Sequence, residues 1–398
     1  MKKLLLATSA LTLMSGVAFA EEIKLGIVTG FTGGIESLAP SIAAGAENAI
    51  AEVNASGLLL DGAKVIAVRG DDTCGDAAVA TATAERLITS DKVNAIVGGS
   101  CSGVTGAMLQ NVARPNGIVM ISPSATSPGL STAEDDGLFF RTAPSDAREG
   151  EVAAEVMKEH GVKSIAITYT NNDYGKGLSD AIKTSWEKLG GTVTIVAAHD
   201  DGKGDYSAEV GALAAAGGDI LVVAGYLDQG GLGIIKAALD LGAFDTFELP
   251  GGMIGDGLPE NVGPGLNGSY GQVPGTDAPG MAILGETGKA GGFDVNSPYT
   301  PESYDAAALF MLAMNEAKSS DPKVYLPFIL QVANGPADGS GEKILPGQLG
   351  HALELIAAGK AIDYDGASGV NLIGPGESAG RYREFTVKDG KYETVKFH

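Results

Sequence analysis

The chain has 398 residues, 44% hydrophobic and 19% charged. That is a globular profile, too long for one compact core, and it points to two domains or three. Acidic residues outnumber basic ones 49 to 27, giving a formal net charge of −22, which argues against nucleic-acid phosphates and anionic lipid as partners. The 59 glycines follow no G-X-Y period, so collagen is excluded and many tight turns are expected.

The first twenty residues read as a secretory signal peptide. Lys2 and Lys3 form a positive start, Leu4 to Val17 is mostly apolar, and Ala18-Phe19-Ala20 is a small-x-small cleavage site. Cleavage is expected after Ala20. No Cys follows it to carry a lipid, and no later stretch reaches 18 uninterrupted apolar residues. The expectation is a freely diffusing exported protein, most simply periplasmic. Cys74 and Cys101 are the two cysteines. An oxidising compartment favours one disulfide between them, worth roughly 3–4 kcal/mol on the chain-entropy model, over two free thiols. His160, His199, His351 and His398 are scattered, with no zinc spacing, so no metal site and no cofactor are expected.

Short β-branched runs alternate with helical stretches. Strands are expected at 23–29, 64–69, 94–97 and 117–121, with helices at 35–54, 76–90 and 102–114. A second series follows the junction Arg141-Thr142-Ala143-Pro144. Its helices are expected at 146–160, 173–189, 207–216 and 229–241, its strands at 164–169, 192–197, 219–224 and 246–249. This is the pattern of βαβ units, and it predicts two doubly wound α/β domains of similar plan. Residues 250–300 are rich in Gly and Pro. Helices are then expected at 301–317 and 346–359, followed by a polar hairpin turning at Asp389-Gly390. The tail is expected to complete the first two domains and not to form a third.

Ligands of open α/β sheets sit beyond the carboxyl ends of the strands. After the first strand comes TGFTGG (29–34), where Phe31 or Leu38 could line a pocket. A dinucleotide reading is opposed by Glu36 beside the phosphate seat and by export. GGSCSG (98–103) opens a helix. Its free N–H groups and the Ser102 hydroxyl suit a carboxylate, although Ser102 could simply cap the helix. The string narrowly misses a nucleophile elbow, and no His lies in a plausible triad order, so an exported serine hydrolase is the distant alternative. SPSATSP (122–128) adds Ser124, Ala125 and Thr126 on the neighbouring strand. In the second domain, Tyr174 and Tyr226 could close over a small ligand. Asp228 or Asp256 could take an ammonium, with packing and turn roles as the plainer readings.

This ordered set resembles the type I periplasmic solute-binding proteins of ABC importers, in the leucine/isoleucine/valine-binding branch. The resemblance is carried by IKLGIVTGFTGG, DDTCGD, GGSCSGVT, ISPSATSPGL, FFRTAPSD, NNDYGKGL, GYLDQGG, TPESYDAAALFMLAM and AIDYDGASG, and it spans essentially the whole mature chain. It implies two Rossmann-like lobes joined by a three-strand hinge, with crossovers near Thr142–Pro144, Gln272–Gly275 and after Tyr364. The implied division is 21–142 plus 274–365 for the first lobe, and 143–273 plus 366–398 for the second. It further implies a Cys74–Cys101 disulfide, ligand carboxylate held by Ser102, Ser124 and Thr126, and aromatic clamps at Tyr174 and Tyr226. The family's ring over the ligand falls at Leu38. The family's acidic residue for the ligand ammonium falls in the turn Leu249-Pro250-Gly251-Gly252-Met253, which has no carboxylate. Asp228 or Asp256 would have to substitute, or the ligand lacks an α-amino group. The implied function is binding, not catalysis. A monomer would capture a small carboxylate-bearing solute, first a neutral or branched-chain amino acid, and deliver it to a membrane permease and ATPase. An aromatic or short aliphatic carboxylate is the alternative.

Overall fold

A computed structural model describes residues 22–398; the expected signal peptide lies outside the described residues. The first series of strands is β1 (Glu22–Thr29), β2 (Lys64–Asp71), β3 (Ala95–Val97), β4 (Met120–Ser122) and β5 (Phe139–Pro144). The second is β6 (Ser164–Thr170), β7 (Thr192–His199), β8 (Ile220–Ala224), β9 (Phe247–Leu249) and β10 (Tyr270–Pro274). Each series forms a parallel sheet, because Val- and Ile-rich strands buried on both faces need crossover helices to cover them. A small pair, β11 (Glu342–Ile344) and β12 (Ile362–Tyr364), stands apart.

The remaining strands finish both sheets. β13 (Leu372–Ile373) and β14 (Glu377–Ser378) extend the first to the order β13-β14-β5-β4-β3-β1-β2. The hairpin of β15 (Tyr382–Lys388) and β16 (Lys391–Phe397) extends the second to β16-β15-β10-β9-β8-β6-β7, turning at Asp389-Gly390. The last passage between sheets therefore lies between Ser378 and Tyr382, later than the 365/366 division expected. The reason is that β14 pairs with β5 of the first sheet before the chain leaves it.

The first helix begins at Ala39, not Ile35. Pro40 suits a first helical turn. The preceding segment is held in a turn by Gly33, whose φ is +94° and where a Cβ would meet the Thr73 carbonyl oxygen at 2.1 Å. The helix Thr300–Ala317 is buried from Thr300 to Asn315 and packs on Ala39–Ser56, so a late segment fills the core of the first lobe. At its start, Asp305 accepts hydrogen bonds from the Ala367 and Ser368 N–H groups and the Tyr364 hydroxyl, tying down the return strand. A separate core fills the outer half of the second lobe, around Phe247, Leu249 and Phe385.

Candidate functional site

The site is built on a buried polar frame in the first lobe. Asp72 follows β2 and is fully buried. Its carboxylate accepts from the Ser100 N–H at 2.7 Å, the Ser100 hydroxyl at 2.8 Å and the Cys74 N–H at 3.0 Å. Ser100 in turn accepts from the Gly30 N–H at 3.0 Å. Cys74 and Cys101 are disulfide-bonded, Cα to Cα 5.0 Å, so the loops after β1, β2 and β3 form one unit.

Ser102 is held at the end of that unit. Its hydroxyl oxygen accepts from the Ser127 N–H at 3.0 Å, leaving the hydroxyl proton free to donate. Ser122 accepts from the N–H groups of Ser124 and Ala125, and the Ser124 hydroxyl donates to the Ser100 carbonyl at 2.9 Å. Beneath them the buried Arg141 donates to the carbonyls of Ala125 (3.1 Å) and Ser127 (3.0 Å), to Ser131 (2.6 Å) and to Glu377. Thr126 crowns this loop, 1% exposed, its hydroxyl without a hydrogen-bond partner.

The second lobe faces it with aromatic rings. Tyr174 lies on the helix Asp173–Lys188, capped by Asn172, which accepts from the Gly175 N–H at 3.0 Å. Tyr226 follows β8, and the two rings stack with centroids 4.8 Å apart. The Gly252 N–H donates to the Tyr174 hydroxyl at 3.1 Å. Tyr299, just before the helix Thr300–Ala317, reaches the same turn. A Cβ at Gly251 would stand 2.7 Å from the Tyr299 hydroxyl, and one at Gly252 2.7 Å from that of Tyr174. The carboxylate-free turn is thus the condition for two phenols to reach the backbone.

Two carboxyl groups lie within this shell. Asp146 and Glu149 sit one turn apart on the helix Asp146–Glu159, both fully buried. Glu149 Oε1 accepts from the Gly251 N–H at 3.0 Å and from Gln272 at 3.2 Å. Burial pushes the Glu149 carboxyl up to about 7. Burial first, and the Glu149 charge second, push Asp146 well above the usual carboxylate range. Thr126 lies close enough to counter that shift in part, though not in full hydrogen-bond geometry. The phenols of Tyr174, Tyr299 and Tyr382 are raised by burial, and then by the same two carboxyl groups.

The other expected residues lie elsewhere. Asp228 is exposed and accepts from the N–H (2.9 Å) and hydroxyl (2.6 Å) of Ser37, a bond between the lobes. Asp256 is exposed in front of the short helix Gly257–Val262. Phe31 packs on the first-lobe core with the Arg69 guanidinium 5.3 Å from its ring centroid, and Leu38 is buried in a core that includes Tyr226. The lobes are closed on each other. Grooves of about 420 and 590 Å³ enter between them, one lined by Cys74, Asp173, Asp201 and Tyr226, the other by Ser102, Ser127, Leu130 and Lys176.

A pair of α/β lobes of this plan has known counterparts. The sequence profile described as "Periplasmic binding protein" matches residues 22–326. The chain belongs to that family.

This periplasmic binding protein is 31% identical over 372 residues to the "Leu/Ile/Val-binding protein homolog 1" of Brucella melitensis, covering 88% of this chain and 98% of that one. A branched-chain amino acid transporter substrate-binding protein of Streptococcus pneumoniae, solved with isoleucine, superposes with a TM-score of 0.76 at 21% identity, covering 94% and 99%. A solute-binding protein of R. palustris solved with 4-hydroxybenzoate gives 0.76 at 19%, covering 95% and 97%. These likenesses bear out the two-lobed fold and the solute-binding class. The family is periplasmic, and its relatives here are binding proteins, not enzymes.

Sequence reasoning missed Asp146, Glu149, Tyr299, Arg141 and Asp72 as members of the shell. For the first two a signal existed. They fall on the same stripe as Val152, Ala153, Val156 and Met157, and carboxyl groups on an apolar helix face mark a buried polar site.

Proposed function

We propose that this periplasmic binding protein captures a small carboxylate-bearing solute between its lobes, a neutral or branched-chain amino acid first. It passes the solute to an ABC permease and its ATPase. The chain is exported by its signal peptide, which is cleaved after Ala20, and the receptor acts as a monomer. The ligand carboxylate is received by Ser102 and the Ser124–Ala125–Thr126 loop, where the Thr126 hydroxyl is unpaired while the N–H groups of Ser124 and Ala125 serve Ser122. Tyr174 and Tyr226 cover the ligand from the second lobe. The observation that carries this reading is the buried Thr126 hydroxyl, without a hydrogen-bond partner, on the loop whose next residue, Ser127, bonds the Ser102 hydroxyl. A buried hydroxyl left unpaired costs about 1–3 kcal/mol, and a carboxylate offsets that with charge-assisted bonds. Relatives named for leucine, isoleucine and valine support the amino-acid choice.

One observation favours a second ligand class. The Gly251-Gly252 turn carries no carboxylate for an ammonium, and a structural neighbour is solved with 4-hydroxybenzoate. A thermal-shift screen of amino acids against their des-amino analogues separates the two. At a hundredfold excess over Kd a ligand stabilises by about 2.7 kcal/mol. A shift with leucine or another neutral amino acid supports the first reading. Inert amino acids with an active des-amino acid such as 4-methylpentanoate support the second, and no shift with either class removes both.

A further inference from the structure

The turn that lacks an acidic side chain is not without an acid. Glu149, from a helix of the hinge, bonds the Gly251 N–H through Oε1 and so places its carboxyl group at that turn. Its other oxygen, Oε2, is buried with no hydrogen-bond partner, as are both carboxyl oxygens of Asp146 and the hydroxyl of Thr126. Gln272 fixes Oε1 from the adjoining strand, so Glu149 is held rigidly. The hydroxyls of Tyr174 and Tyr299 close on the same two glycines. Four unpaired polar oxygens at 0–1% exposure in one shell are costly to bury, and each is a hydrogen-bond acceptor.

We infer that Glu149, seconded by Asp146, receives an ammonium group of the ligand in place of a side chain from the Gly251-Gly252 turn. The ligand is then a zwitterion with its carboxylate at Thr126 and its ammonium at Glu149. This inference rests on the carboxylate reading above and selects between its two ligand classes. A protonated amine supplies donors to these oxygens in place of the proton that burial holds between the neighbouring Asp146 and Glu149 carboxyl groups, and its positive charge offsets the negative charge left when that proton departs. A des-amino acid supplies neither.

The test compares the wild type with Glu149→Gln and Asp146→Asn, using the twenty common amino acids and the des-amino analogues 4-methylpentanoate and 3-methylbutanoate. Calorimetry measures affinity, and circular dichroism confirms folding. Glutamine keeps an acceptor for Gly251 and replaces the second, charged oxygen with an NH2 donor that an ammonium cannot use, and the Asp146→Asn variant stands in should the first fail to fold. The expected result is an amino acid that binds the wild type and loses on the order of 10- to 100-fold in either variant, while des-amino binding stays within twofold. An amino acid bound equally by wild type and variants overturns the inference and leaves the carboxylate reading intact. Binding of des-amino acids alone does the same. No binding by any of these carboxylates removes the underlying reading and the inference with it.

Discussion

Replacing Asp228 with alanine separates a latch from a ligand contact. Two hydrogen bonds from Ser37 converge on one carboxylate oxygen across the cleft, at 2.9 and 2.6 Å. Bonds to a charged acceptor are worth about 1.5–3 kcal/mol when buried. Both residues face solvent here, so about 1–2 kcal/mol for the pair is the appropriate scale. That is a factor of roughly 5–30 in the closing equilibrium. A ligand gripped by both lobes binds the closed state, and its apparent affinity falls with the closed fraction. Where the free protein is mostly open, Asp228→Ala raises Kd by the full factor. A pure latch gives the same loss for every ligand. Ser37→Ala gives a smaller loss, and the double variant is no worse than Asp228→Ala, as expected for one shared interaction. Calorimetry supplies Kd, and small-angle scattering supplies the open fraction of the free protein. Unchanged Kd with superimposable scattering curves refutes the latch. A loss confined to amine-bearing ligands refutes it differently, by making Asp228 an ammonium partner.

Thr126→Ala is expected to weaken binding by about 10- to 100-fold with unfolding unchanged, since the hydroxyl has no protein partner; Ser102→Ala weakens it similarly with a small loss of stability from the Ser127 N–H. Equal affinities in calorimetry would remove the carboxylate site. Arg141→Met leaves Glu377 with only the Ser131 hydroxyl, the Ser127 carbonyl with only the Leu130 N–H and the Ala125 carbonyl with no donor, and is expected to cost about 3–5 kcal/mol in urea unfolding; wild-type stability would show that the guanidinium does not hold the loop. Burial raises Glu149 to about 7, Glu248 and Glu302 to about 8 and Asp305 to about 6. The folded state thus keeps protons that the unfolded chain releases above about 4.5. Stability should therefore fall as pH rises from 5 to 8, by up to about 1.4 kcal/mol per pH unit for each group, and level off above 8. A urea midpoint that climbs over that range contradicts these protonation states.

The strands and most helices could be read directly, because apolar runs such as Leu221–Ala224 have one stable use, as buried parallel strands. β13 and β14 could not, since two-residue strands carry no period and depend on β5 for their pairing. The places of Ser102 and Thr126 were equally plain, since both follow short strands, where open α/β sheets put binding groups. The second half was not. Asp228 looked like an ammonium partner because sequence shows its charge but not Ser37, 191 positions away. Tyr299 hid in a Gly- and Pro-rich stretch, and Glu149 inside a helix whose hinge-facing side only the assembled lobes define.

The order of strands also bears on how the molecule is made. β1 to β5 are the first strands to be synthesised, yet the helix that buries their face begins at Thr300, and the strand beside β5 ends at Ser378. The lobe begun earliest is therefore completed almost last, after the whole of its neighbour's parallel sheet has passed. A chain emerging amino end first carries an uncovered sheet face through most of its synthesis, and the contacts that close it span more than 250 residues.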